Sequence, residues 1–212
     1  NLTAADVVST HDELRINVLR SKTPAGRRAI PLNLILPSDR TYQPLARWVA
    51  HRQTQLRNLG RSARLDDLPL FGPLERHRRP SWEEVIERPL DFLRERLQTD
   101  IDFHGLRHSA ASWLVLRAYA AYHPDFKQTL RHGDHPCFQD PALGRLRELF
   151  ELFEPKGADG KERMLVHIAK VLGHSTLQSL MLTYAHTLGP IQSHALQAAS
   201  TWSQHLDRIA IR

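Results

Sequence analysis

The stretch HGLRHSAASWLVLRAYA, residues 104–120, decides the class of fold. Its apolar side chains recur three and four positions apart, which is the period of a helix with one buried face. We predict a helix from about residue 104 to about residue 120. Its buried stripe is predicted to consist of Leu106, Ala110, Trp113 and Leu114.

Near the beginning of the chain the pattern changes to that of strands. Residues 14–19 alternate apolar and polar side chains, residues 24–26 supply turn-forming Pro-Ala-Gly, and residues 28–32 read as a returning strand. A β-hairpin over about residues 14–34 is therefore predicted. The expected fold class is mainly α with a small antiparallel β-hairpin or three-stranded sheet.

The rest of the chain predicts helices joined by polar loops. Pro89 is expected to break a helix before residues 90–98, and Gly173 is expected to end another in a left-handed conformation. Residues 122–141, rich in His, Pro, Asp and Gly, read as a loop. The other predicted helices cover about residues 45–59, 143–153, 162–172 and 191–209.

Charge and composition limit the function. Residues 1–80 carry 14 Lys and Arg against 7 Asp and Glu, whereas residues 81–212 carry 15 against 16. A basic half indicates a polyanionic partner such as nucleic acid, and an ordinary solvated surface explains the count equally well. There is no apolar run long enough to span a membrane, and the single Cys137 fits a reducing compartment.

Three separated segments carry residues suited to phosphate chemistry. His104 and Arg107 share one helix face near its N-terminal end, where free N–H groups favour a phosphate. Gly173 presents His174 at a helix junction, and Tyr184 follows on the next helix, within reach of the same site. Lys22 lies at the hairpin tip. Taken singly, each has an ordinary structural explanation: a surface pair, a capping histidine, a core tyrosine and a solvated lysine.

In this order the segments closely resemble the tyrosine recombinases, the phage-integrase family. KTPAGRRAIPL at residues 22–32 is similar to the family's K-T-x-x-x-R-x-x-P-L hairpin, shifted by one at the arginine. Residues 104–109 match H-x-L-R-H-[ST]. Residues 172–176 match L-G-H-[SA]-S/T, followed by Tyr184, and LTAADV at residues 2–7 resembles the L-x-x-x-D-[VI] stretch before the hairpin.

The resemblance implies a site-specific recombinase or integrase that forms a 3′-phosphotyrosyl DNA intermediate. It gives Tyr184 the role of nucleophile, makes Arg107 a clamp on nonbridging oxygens, and has His104 help to take the tyrosine proton. It also has His174 hydrogen-bond the phosphate and Lys22 protonate the leaving oxygen. No cofactor or metal is expected, because the run from His132 to Cys137 offers three ligands without a second pair.

The resemblance also implies partners and context. They are double-stranded DNA, a homotetramer held through the C-terminal helix at 191–209 after a break at Gly189-Pro190, and a phage or mobile element in the bacterial cytoplasm. Residues 1–212 are expected to be a catalytic-domain fragment with an insertion at about 118–161. Since the chain starts at Asn1, the first catalytic arginine and the N-terminal DNA-binding domain are expected to be missing, leaving the fragment poorly active or inactive.

Two alternatives remain open. A type IB topoisomerase uses similar chemistry without strand exchange, although the Leu-Gly-His block and the long C-terminal tail favour a recombinase. A DNA-binding accessory protein or an inactive recombinase relic would keep the fold without the reaction.

Overall fold

Three short strands and a larger set of helices make up the protein. The computed structural model describes residues 2–10, 12–58, 69–71, 81, 83–152, 163–178, 180 and 188–198. The strands are β1 (Val7–Ser9), β2 (Leu14–Val18) and β3 (Arg28–Pro31). The named α-helices are α1 (Leu32–Ile35), α2 (Asp39–Asn58), α3 (Arg88–Leu97), α4 (Phe103–Tyr122), α5 (Asp140–Glu151) and α6 (Met164–Leu172). Residues 188–198 are also helical. The predicted class, mainly α with a small antiparallel sheet, is confirmed.

The sheet has the order β1-β2-β3 and is antiparallel throughout. In its register Ile16 lies opposite Val7 on one side and opposite Ile30 on the other. The predicted hairpin is therefore β2 and β3, but it ends earlier than residue 34 because the chain enters α1 directly after Pro31. Between the strands, the Thr23 hydroxyl accepts a hydrogen bond from the Gly26 N–H and closes the tip.

The sheet packs against α2 through a small core of its own. Val7, Leu14, Val49 and Leu70 are buried there. Arg52 is also buried and donates to the Pro69 carbonyl at 2.8 Å, which gives the guanidinium a polar partner. The predicted helix around Val49 is confirmed, while its expected end near residue 60 lies outside the described residues.

The main core lies between α4, α5 and α6. The predicted helix at 104–120 is confirmed, yet only Leu114 of its expected stripe is buried. Leu106 is half-buried, and Ala110 and Trp113 are exposed. Apolar residues occur around most of α4, so their period does not single out one face. The buried face is made instead by Ala111, Leu114, Val115, Ala118 and Ala121.

The segment expected to be an insertion contributes much of this core where it is described. Leu143, Leu146 and Phe150 of α5 are buried as predicted. The predicted loop at 122–141 is wrong in part, because 3-10 turns at Phe126–Thr129 and Pro136–Phe138 bury both of those phenylalanines. Aromatic anchors therefore tie this polar stretch to the domain.

The chain before α3 differs from the expected break at Pro89. A π-helical turn, Glu83–Glu87, leads straight into α3, and Pro89 falls in the first turn of that helix. Glu87 has helical φ and ψ of −64° and −45°, so the helix continues through Pro89, and the π-turn lies directly before the proline, where the missing N–H interrupts the regular hydrogen bonds. None of the described helices is both long and apolar enough to cross a membrane.

Residues 188–198 pack against the same chain. Leu188 and Ile191 contact the main core, and His194 is buried. The His194 ring bonds Tyr119 Oη at 3.2 Å through Nδ1 and Asp125 Oδ2 at 3.1 Å through Nε2. Gly189 and Pro190 are inside the described helix, so the break predicted there is wrong.

Candidate active site

The C-terminal end of α6 organises the candidate site. Gly173 has φ +78°, the left-handed conformation predicted for it. Its N–H bonds the Lys170 carbonyl, and the His174 N–H bonds the Ala169 carbonyl at 2.8 Å. This is how a glycine commonly ends a helix. The turn brings His174 out at the junction, where it is half-buried.

Two arginines from distant segments meet the last carbonyls of α6. Arg28 Nε donates to the Val171 carbonyl at 2.8 Å, and Arg107 Nη2 donates to the Leu172 carbonyl at 3.3 Å. These carbonyls lack partners within the helix and carry its negative partial charge, so guanidinium groups are favoured there. A Cβ on Gly173 would lie 2.8 Å from Arg28 Cζ, so only glycine leaves room for this approach.

The three side chains influence one another electrostatically. Burial lowers the pKa of His174, and Arg107 and Arg28 lower it further. Burial also lowers the pKa of Arg28, with a further contribution from Arg107. His174 is therefore held neutral near pH 7. Among the described ion pairs, none joins Arg28 or Arg107 to a carboxylate. An anion bound between these groups would relieve their mutual repulsion.

His104 occupies the first turn of α4, three positions before Arg107, and is exposed. Its described ring contact is with His108 and not with the cluster around Arg107. Asp102 caps the helix, and its carboxylate accepts a hydrogen bond from the Gly105 N–H at 2.5 Å. The expectation of free N–H groups at this helix end is wrong at Gly105, because a carboxylate already takes that donor.

The other predicted residues are not brought into contact with the cluster in the described part of the chain. Lys22 is exposed in the connection between β2 and β3. Tyr184, the predicted nucleophile, lies outside the described residues. Tyr119 is an unsuitable substitute, because burial raises the pKa of its phenol and it bonds His194. Of the five predicted residues, the structure therefore joins Arg107 and His174.

Sequence reasoning missed Arg28 as a site residue. The signal was present, since the hairpin motif contains an arginine that this sequence shifts by one position. Either of two neighbouring residues, Arg27 or Arg28, could correspond to the arginine of the motif. Arg27 is exposed, whereas Arg28 is half-buried against α6.

A groove of about 880 Å³ adjoins the site. Arg28 and Arg107 line it together with mostly apolar side chains, among them Leu106, Ala110 and Trp113. These three residues of the predicted stripe are outside the core because they face the groove, whereas Leu114 is buried. Within the described ranges, no group of three His, Cys, Asp or Glu side chains is arranged to hold a metal ion.

No protein-family model, no curated protein and no solved structure matches the chain.

Proposed function

We propose that the chain acts on DNA as the tyrosine recombinases do, cutting and rejoining a strand through a covalent link to Tyr184. The observation that supports this most is the convergence of Arg28, Arg107 and His174 at the end of α6. Each belongs to a different block of the sequence that resembles the family. Two guanidiniums that share no described ion pair with a carboxylate, with a neutral imidazole beside them, suit a phosphodiester.

The roles of these residues follow from the reasons why a phosphodiester is difficult to cleave. It is already anionic, and its alkoxide is a poor leaving group, so the site must neutralise charge and supply a proton. Arg28 and Arg107 take the two nonbridging oxygens, for which a planar guanidinium fork is well matched. His174 donates a further hydrogen bond, because its lowered pKa leaves it with one N–H and one lone pair.

The transfer itself conserves the bond energy of the DNA strand. The Tyr184 oxygen attacks phosphorus and gives its proton to His104, while the bond to the 5′ oxygen breaks. Lys22 then supplies a proton to that oxygen. The product is a 3′-phosphotyrosyl link and a free 5′ hydroxyl, which can attack in reverse to rejoin the strand. Synapsed sites would be held in a homotetramer through residues 199–212, because residues 188–198 already pack on their own chain.

A suicide DNA substrate tests the nucleophile. The short fragment that carries the released 5′ hydroxyl diffuses away from the nicked substrate, so a covalent adduct accumulates and survives denaturation. We expect Tyr184→Phe to abolish the adduct while leaving DNA binding nearly unchanged. Tyr42→Phe, the same change at a tyrosine on α2, is the matched control and should retain it. Adduct in Tyr184→Phe would overturn the assignment, and DNA binding without adduct in the wild type would favour an accessory protein.

A further inference from the structure

Two histidines lie one turn apart at the start of α4. The ring centroids of His104 and His108 are 4.6 Å apart, and the rings meet at 67°. Positions four apart lie above one another on the same helix face. His104 is exposed and His108 is half-buried, so the pair is open to solvent on one side.

This arrangement is suited to a transition-metal cation. The same spacing on a helix supplies the two zinc-binding histidines of H-E-x-x-H metalloproteases, and imidazole is a preferred ligand of zinc, copper and nickel. Each imidazole has two ring nitrogens, and a metal-binding histidine commonly bonds another partner through the nitrogen that does not hold the metal. We propose that His104 and His108 form a two-imidazole binding site for Zn²⁺.

The surroundings define the character of this site. Gly105 stands where the metalloproteases carry their catalytic glutamate, so the pair has no built-in base for hydrolysis. No third protein ligand is arranged beside the pair in the described ranges. The remaining coordination positions therefore belong to water or another small ligand. Arg107 lies between the two histidines in sequence and repels a cation, which makes the site weaker than a closed four-ligand site.

Zinc at this pair would regulate the proposed reaction, and that consequence alone rests on the proposed function. Coordination uses the lone pair with which His104 would accept the proton of Tyr184. Bound Zn²⁺ would therefore block adduct formation, and a chelator would restore it.

Binding is tested first, without any reaction. Zn²⁺ is titrated into the protein by calorimetry, and Cu²⁺ is used as a spectroscopic probe of nitrogen coordination. We expect His108→Gln and His104→Gln each to lower affinity by roughly 100-fold, because two linked ligands bind as a chelate. His51→Gln, an exposed histidine on α2, is the matched control and should bind as the wild type does. Zn²⁺ should also raise the melting temperature of the wild type but not of His104→Gln.

The outcomes separate the two proposals. Affinity unchanged in both His104→Gln and His108→Gln would overturn the metal site, whatever the protein does to DNA. Affinity lost in both, with adduct formation blocked by Zn²⁺ in the wild type and unaffected by Zn²⁺ in His108→Gln, supports the site and its regulation. Affinity lost in both without any inhibition of the wild type supports the site and contradicts the role of His104 in proton transfer.

Discussion

Replacing Gly173 with alanine tests the construction of the candidate site. An L-residue in the left-handed region costs about 1–2 kcal/mol. The new Cβ would also press on Arg28, whose Cζ lies 2.8 Å from that position. The guanidinium must then move away from the Val171 carbonyl, and we count about 1 kcal/mol for that hydrogen bond because Arg28 is partly exposed. The expected loss in the free energy of unfolding is about 2–3 kcal/mol in total.

Urea denaturation measures this loss, and it corresponds to a fall of about 4–12 °C in melting temperature for a chain of this size. Gly144→Ala is the matched control. Gly144 lies inside α5 with no neighbour within 4 Å of the added Cβ, so alanine should stabilise by about 0.5–1 kcal/mol. In an Arg28→Ala background, Gly173→Ala should cost only the backbone strain. Equal effects of Gly173→Ala and Gly144→Ala would refute the reasoning.

Three further predictions concern pH, the His194 side chain and the C-terminal segment. The folded protein holds the pKa of His174 below its ordinary 6.5, so the unfolded chain binds a proton that the folded chain excludes. Stability should therefore fall as pH drops below about 7, and less so in His174→Gln; identical pH curves for the two proteins would contradict the shift. His194→Ala removes the bonds to Tyr119 and Asp125 and should cost about 1–2 kcal/mol. Deleting residues 199–212 should leave the denaturation midpoint unchanged and should reduce assembly on DNA, which ultracentrifugation with DNA measures. A lower midpoint with unchanged assembly would contradict this prediction.

Features fixed by neighbouring residues were predictable from the sequence. The left-handed turn at Gly173 was predicted because glycine adopts that conformation at little cost. The β2–β3 hairpin was predicted from alternation and turn residues. In both cases the cause lies within a few positions of its effect.

Features that depend on distant packing were predicted poorly. Trp113 was expected in the core, and it is exposed because its side of α4 meets a groove instead of another helix. Phe126 and Phe138 were expected in a loop because most residues around them are polar, yet both side chains are buried. Arg28 was missed because its partner, the carbonyl of Val171, lies 143 positions away.

That separation has a consequence for how the protein acquires its site. Arg28 meets α6 across 143 residues and Arg107 meets it across 65. During synthesis both arginines leave the ribosome well before α6 does, and until then they are ordinary solvated cations. Any opening that releases α6 from the domain separates the residues of the candidate site while most of the helices persist. Phosphate affinity should therefore disappear before helical circular dichroism does, which makes the site a sensitive reporter of partial unfolding.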